Sequence, residues 1–230
     1  MTETTTPVSE SPPRLPRLNE PAPAFEAKTT HGMVSLDDYK GQWLVLFSHP
    51  ADFTPVCTTE FVAFAEHYEE FQALNTELLG LSIDSYHSHI AWTQRIKEKL
   101  GVEILFPIID DVSMDVASAY GMIHPGASDT ASVRTTFIID PEGVLRTMLY
   151  YPMEAGRSIA EVVRTVKALQ TADAHAVATP EGWAPGQPVL LGSPQSLADA
   201  EGRITAADAE GYDCKDWYLC FKDVPETEGN

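Results

Sequence analysis

The chain has 230 residues, long enough for one large domain or a domain plus an extension, and 15 Lys and Arg against 34 Asp and Glu give it a formal net charge of −19. So acidic a balance argues against nonspecific nucleic-acid binding, which depends on basic side chains neutralising phosphates, while 43% hydrophobic residues suit a globular core. No apolar run reaches bilayer length, residues 1–20 lack the apolar segment of a signal peptide, and three cysteines are an odd count for a secreted disulfide scaffold; a cytoplasmic protein with reactive thiols and no membrane association is expected.

Thr4-Thr5-Thr6, Pro12-Pro13 and Pro16 mark residues 1–19 as a disordered or extended tail. Phe25-Glu26-Ala27 and Met33-Val34-Ser35 flank Thr29-Thr30-His31-Gly32 and read as a small hairpin. Trp43-Leu44-Val45-Leu46-Phe47, bounded by Gly41 and Pro50, is the continuous apolar run of a buried strand. A helix follows, with Phe61, Phe64, Ala65, Tyr68 and Phe71 at amphipathic spacing. Leu78 to Ile83 is a second core strand, and Ser85 opens a helix that keeps Trp92, Ile96 and Leu100 on one stripe and stops at Gly101. Phe106 to Ile109 is a third strand before a short helix around Val116 to Tyr120. Thr135 to Ile139 and Leu145 to Tyr150 form a hairpin around the turn Asp140-Pro141-Glu142-Gly143. Ser158 begins another amphipathic helix carrying Ile159, Val162, Val163, Val166 and Leu169. Strands alternating with helices indicate an α/β domain with a central sheet over residues 20–171. Residues 172–230, punctuated by Pro180, Gly182, Pro185, Gly186, Pro188, Gly192 and Pro194, form an extension with few long periodic runs, expected to pack on another subunit.

The chemistry concentrates in Pro50-Ala51-Asp52-Phe53-Thr54-Pro55-Val56-Cys57. This run sets one thiol just after a buried strand and at the opening of a helix, where free backbone N–H groups and the positive end of the helix dipole converge. Such surroundings favour the nucleophilic thiolate. Pro50 removes a competing backbone donor and stiffens the loop. Taken singly, a lone cysteine is more often an inert buried thiol, and arginines such as Arg134 and Arg157 are more often partners in surface ion pairs. Glu60, one turn after Cys57, suits the helix dipole whatever else it does.

The spacing Pro50-x-x-x-Thr54-x-x-Cys57 resembles that of the peroxiredoxins, and the run from His49 to Glu60 resembles their one-cysteine, peroxiredoxin-6-type or archaeal-type subfamily. Val133-Arg134-Thr135-Thr136-Phe137-Ile138-Ile139-Asp140, Tyr151-Pro152 with Gly156-Arg157, and Thr179-Pro180 with Trp183 and Pro185-Gly186 extend the resemblance in one consistent order. It implies a thioredoxin-like domain, a central sheet flanked by helices, with a C-terminal dimerisation extension. The implied activity is thiol-dependent reduction of hydrogen peroxide and alkyl hydroperoxides, without metal or organic cofactor. Cys57 would attack the distal peroxide oxygen and become a sulfenic acid, Thr54 would hydrogen-bond sulfur and peroxide, and Arg134 would hold the thiolate. Glu60 would orient that arginine, and Arg157 matches the second family arginine. For His49 three roles stay open: bonding the peroxide, positioning the loop, or capping the strand.

Cys214 and Cys220, separated by five residues, do not suit a zinc knuckle. They resemble the tail of archaeal-type members that use a C-terminal cysteine of the neighbouring subunit, with Cys220 as resolver and Cys214 as a partner exchanging disulfides with it. Two passive tail thiols are the alternative, with direct reduction of the sulfenate by an external thiol. The resemblance further implies a thioredoxin-like or small-thiol reductant and a homodimer that builds a larger ring such as a decamer. A ring-forming holdase chaperone is the rival from another class, and the absence of Cys-x-x-Cys weakens a general disulfide oxidoreductase. The serine-centred phospholipase motif of mammalian members has no counterpart in Lys40-Gly41-Gln42-Trp43-Leu44.

Overall fold

Backbone hydrogen bonding in the computed structural model, which describes residues 15–128 and 130–225, gathers seven strands into one sheet and three into another. The chain divides into two units. The first runs through Tyr68 and resumes from Thr76 to Arg157; the second comprises Glu69–Asn75 and the residues from Ser158 onward.

In the first unit the elements are β1 (Glu26–Thr29), β2 (Gly32–Ser35), β3 (Trp43–Ser48), α1 (Pro55–Glu66), β4 (Thr76–Ser82), α3 (Tyr86–Leu100), β5 (Ile108–Asp110), α4 (Asp115–Ala119), β6 (Arg134–Ile139) and β7 (Leu145–Tyr151); α2 (Tyr68–Ala73) lies between α1 and β4. The sheet order is β2-β1-β5-β4-β3-β6-β7, with β3, β4 and β5 parallel and β6 antiparallel to β3. The family resemblance to a thioredoxin-like α/β domain is thus matched by a mixed central sheet with helices. Every residue of β3 is buried, as its continuous apolar run requires. Phe47 stacks on Phe64 at 3.9 Å between ring centroids and meets Phe61 edge-on at 5.4 Å. Gly80 of β4 makes room for this cluster, since a Cβ there would lie 3.3 Å from Phe61 Cζ. The turn after β6 is built by Asp140, whose Oδ1 accepts the N–H groups of Glu142 and Val144, while Gly143 takes φ 81°.

Two expectations change in detail. Of the predicted tail, residues 1–14 lie outside the described residues, whereas the Asn19 N–H donates to the Leu145 carbonyl at 2.8 Å and ties the chain to the start of β7. The helix expected to carry Phe61 through Phe71 is divided at His67, whose backbone turns to φ −96°, ψ 5° and whose Nδ1 donates to the Ala63 carbonyl at 2.9 Å beside its own N–H. The helix after Ser85 runs as expected, with the Ser85 hydroxyl accepting the Ser88 N–H and Gly101 left-handed at its end.

The second unit holds α5 (Ile159–His175), β8 (Val189–Leu190), α6 (Leu197–Glu210), β9 (Asp213–Asp216) and β10 (Leu219–Lys222), with the small sheet ordered β8-β10-β9. Ser158 caps α5, Lys167 pairs with Glu70 at 2.5 Å, and Ala168, Trp183 and Val189 share a buried cluster. The extension is more regular than its punctuation suggests. Helix α6 escapes a periodicity search because its buried positions are the small Ala200 and Ala207, while Leu197 and Ile204 are exposed. No described helix is long and apolar enough to cross a membrane.

Candidate active site

Antiparallel pairing of β6 with β3, Phe47 opposite Thr136, brings Arg134 to the end of the sheet where β3 releases the chain through His49 and the buried Pro50 toward α1. Cys57 stands in the first turn of α1 and is fully buried. Pro55 begins that helix, a position where its missing N–H costs no hydrogen bond. Thr54 occupies the cap position, but its hydroxyl donates to the Ala51 carbonyl at 2.8 Å and does not cap the helix. The expected bond from Thr54 to the sulfur is therefore not the one its hydroxyl makes. Its carbonyl accepts the Thr58 N–H and hydroxyl, and no side chain caps the first-turn amides.

Arg134 Nη1 reaches Cys57 Sγ at 3.2 Å and Glu60 Oε2 at 2.8 Å, while Nε and Nη2 both donate to the Met153 carbonyl. Arg157 grips the same carboxylate from the other side, with Nη2 on Oε2 at 2.8 Å and Nε on Oε1 at 2.9 Å, and its backbone N–H adds a third bond. Its Nη1 donates to the Thr135 carbonyl at 2.5 Å. Arg134, Glu60 and Arg157 are all buried. Burial opposes ionisation of Glu60, yet the hydrogen bonds and charge of Arg157, joined by Arg134, outweigh it and hold the carboxyl below its ordinary range. Two guanidiniums against one carboxylate leave a positive charge unmatched beside the sulfur, so the site is arranged to hold an anion there.

Residues 18–148 match the AhpC/TSA family, and residues 168–206 match the C-terminal domain of 1-Cys peroxiredoxin. A peroxiredoxin from Aquifex aeolicus is 58% identical over 221 residues, covering 91% of this chain and 98% of that protein. The chain belongs to the peroxiredoxin family. Peroxiredoxins are thiol-dependent peroxidases, and that activity belongs to this chain. Among solved structures, the yeast mitochondrial 1-Cys peroxiredoxin, whose thiol resolving mechanism runs via glutathione/thioredoxin systems, is 38% identical with a TM-score of 0.80, covering 91% of this chain and all of that one. Peroxiredoxin 6 of Arenicola marina is 31% identical with a TM-score of 0.81, covering 92% of this chain and 99% of its own.

In this peroxiredoxin His49 is fully buried, and its Nε2 lies 2.8 Å from Asp52 Oδ1. Asp52 Oδ2 meets His89 Nδ1 at 2.8 Å, and His89 Nε2 reaches the Ile109 carbonyl. Burial disfavours the charged form of His49 and, against the pull of Asp52, lowers its protonation range. Burial also opposes ionisation of Asp52, but the bonds from His49 and His89 prevail and hold its carboxyl well below the usual range. Sequence reasoning singled out neither Asp52 nor His89. The available signal was Asp52 inside the motif, three residues after His49; His89 gave none.

Cys214 and Cys220 sit opposite one another on β9 and β10 and are joined by a disulfide, while Cys57 is a free thiol. Cross-strand register explains the pairing, with Cα atoms 3.9 Å apart. Cys220 is buried and engaged within its own chain, so a resolving role requires prior reduction of this bond.

Proposed function

We propose that Cys57 is the peroxidatic residue and reacts as a thiolate. Its sulfur attacks the distal peroxide oxygen, the O–O bond breaks, and the leaving hydroxide or alkoxide takes a proton to give water or an alcohol. Cys57 becomes a sulfenic acid. The observation that carries this reading is the 3.2 Å contact from Arg134 to the sulfur within a buried group of two cations and one carboxylate. Arg134 and the uncapped first-turn amides then stabilise charge developing on oxygen, Glu60 and Arg157 hold Arg134 in place, and Pro50 and Thr54 shape the loop.

The sulfenic acid condenses with the Cys220 thiol of a neighbouring subunit, releasing water, after which the Cys214 thiolate attacks Cys220 sulfur and frees Cys57. Because Cys57 is buried in a helical turn, the condensation requires that turn to open. A Cys214–Cys220 disulfide beside a free Cys57 is the state this cycle reaches just before an external thiol, thioredoxin-like or small, returns two hydrogens. Exposed Leu197, Ile204, Trp217 and Tyr218 support a homodimer, and larger rings built from it, in which another copy covers the extension. Bacterial and archaeal relatives support a cytoplasmic site of action. The match to the 1-Cys C-terminal domain, which stops at residue 206, favours a second reading in which external thiol reduces the sulfenate directly.

Cys57→Ser is expected to abolish peroxide consumption with the fold retained, and turnover in that variant sinks the assignment. Cys220→Ser separates the two cycles: loss of a peroxide-induced intersubunit disulfide on a nonreducing gel supports the first, whereas undiminished steady turnover supports the second.

A further inference from the structure

Asp52 lies in the loop that leads into α1, and each of its carboxylate oxygens meets a different imidazole at 2.8 Å. The side chains of His49, Asp52 and His89 are all buried. Partners fix the protons. The Ile109 carbonyl, 3.0 Å from His89 Nε2, only accepts, so that nitrogen carries a hydrogen. Across the ring, His89 Nδ1 faces the Asp52 carboxylate, whose depressed protonation range makes it an acceptor as well. A ring that donates to both must carry a hydrogen on each nitrogen, which is the imidazolium form. His49 differs, since Nε2 donates to Asp52 while Nδ1 has no hydrogen-bond partner, and burial keeps the ring neutral. Asp84, close by, accepts the Asp52 N–H at 2.9 Å and the Ser82 hydroxyl, and its charge favours a cation nearby. The aromatic faces of Phe61 and Trp92 close over His49.

The loop needs such a hold. Phe53 adopts φ 56°, a left-handed conformation unfavourable for a bulky side chain, and it is 59% exposed, so its own packing does not compensate. Strain of this kind persists only where neighbouring contacts over-determine it. On one side Asp52 is fixed through two imidazoles and its own N–H; on the other, Thr54 bonds back to Ala51.

We propose that Asp52 and His89 are positioning residues of the peroxidase, a buried carboxylate–imidazolium pair that clamps the Phe53 turn and thereby aligns Thr54 and the first turn of α1 on Cys57. The inference rests on the reading of Cys57 as nucleophile, but neither residue touches the reacting atoms.

The test begins with the reduced, full-length protein labelled with 15N-histidine. One histidine, assigned through His89→Gln, is expected to show both ring nitrogens protonated at neutral pH, and its imidazolium signature should disappear in Asp52→Asn. A singly protonated His89 overturns the proposal. In Asp52→Asn and His89→Gln the second-order rate constant for hydrogen peroxide is expected to fall about 10²-fold, the scale of a displacement near 1 Å, with Cys57 still the oxidised residue by mass. Unchanged rates in folded variants also overturn it. Turnover in Cys57→Ser sinks the underlying reading instead and leaves the ring spectra as they are, so the two failures are distinguishable.

Discussion

Replacing Glu60 by Gln removes one charge from a buried group and leaves two guanidiniums facing each other's field. The carboxylate of Glu60 accepts four bonds at 2.8–2.9 Å, one from Arg134 and three from Arg157. Glutamine keeps one acceptor oxygen, and its amide nitrogen must point at a cation. Breaking a buried ion pair by removing one partner costs about 3–5 kcal/mol, because the remaining charge stays desolvated and unpaired. At roughly 2–4 °C per kcal/mol for a chain of this size, the melting temperature is expected to fall by about 6–20 °C. Urea unfolding followed by circular dichroism gives the free energy, and stopped-flow peroxide kinetics on the same preparation gives the rate. The rate should fall too, since Arg134 loses the bond that directs Nη1 toward the sulfur. A Glu60→Gln protein with the parental urea midpoint refutes the reasoning, because it would mean the two arginines are compensated by something other than this carboxylate.

Arg134→Lys should lose peroxidase activity by about 10²-fold or more while folding, because one ammonium cannot replace a fork that bonds sulfur, carboxylate and the Met153 carbonyl together; near-parental kinetics would count against the role given to Arg134. The pH dependence of stability has a definite sign: Glu60 titrates below its ordinary 4.5, so its contribution is complete above that value and is lost as pH falls through the lower folded value. The free-energy gap between parent and Glu60→Gln is therefore expected to be flat from neutrality to about pH 6 and to narrow only in more acid solution; a gap that closes near neutrality contradicts this. Intact mass of the protein as isolated under air should show one disulfide that Cys214→Ser removes, and a disulfide joining Cys57 to Cys220 in the resting protein would contradict the pairing described above.

What the sequence discloses follows from how local each signal is. The run from His49 to Glu60 is contiguous, and its strand, loop and helix are written in neighbouring residues, so Cys57 and its helical setting were legible. Ser85, Gly101 and Ser158 mark their helix ends for the same reason, through caps made within one turn. Arg134 and Arg157 entered only through family resemblance, since their bonds to Glu60 span 74 and 97 residues and depend on sheet order that no local pattern encodes. His89 was invisible: it joins Asp52 across 37 residues and occupies a helix position that reads equally well as filler. The break at His67 and the helix from Leu197 to Glu210 were missed because one is a side chain competing for a carbonyl and the other buries alanines.

The site stands where the parallel strands β3, β4 and β5 end and antiparallel β6 begins, which puts the loop after Ser48, Asp84 after β4, Ile109 of β5 and Arg134 at one edge. Keeping Arg134 there requires the register of β6 against β3, since a slip of one residue would turn its side chain to the opposite face. Ser48 pins that register from the face opposite Arg134. Its hydroxyl donates to the Val133 carbonyl at 2.6 Å, accepts the Thr135 N–H, and, with its one hydrogen spent, accepts the Thr135 hydroxyl at 2.7 Å. Ser48→Ala leaves three buried groups short of a partner, Val133 O, the Thr135 N–H and Thr135 Oγ1, and should cost about 1–3 kcal/mol with a measurable fall in peroxide rate. Adding Thr135→Val removes one of those orphaned groups and should recover part of the stability in urea unfolding. If the double variant is less stable than Ser48→Ala alone, the serine is not acting through Thr135, and the register of β6 must be held by its backbone ladder with β3 and β7.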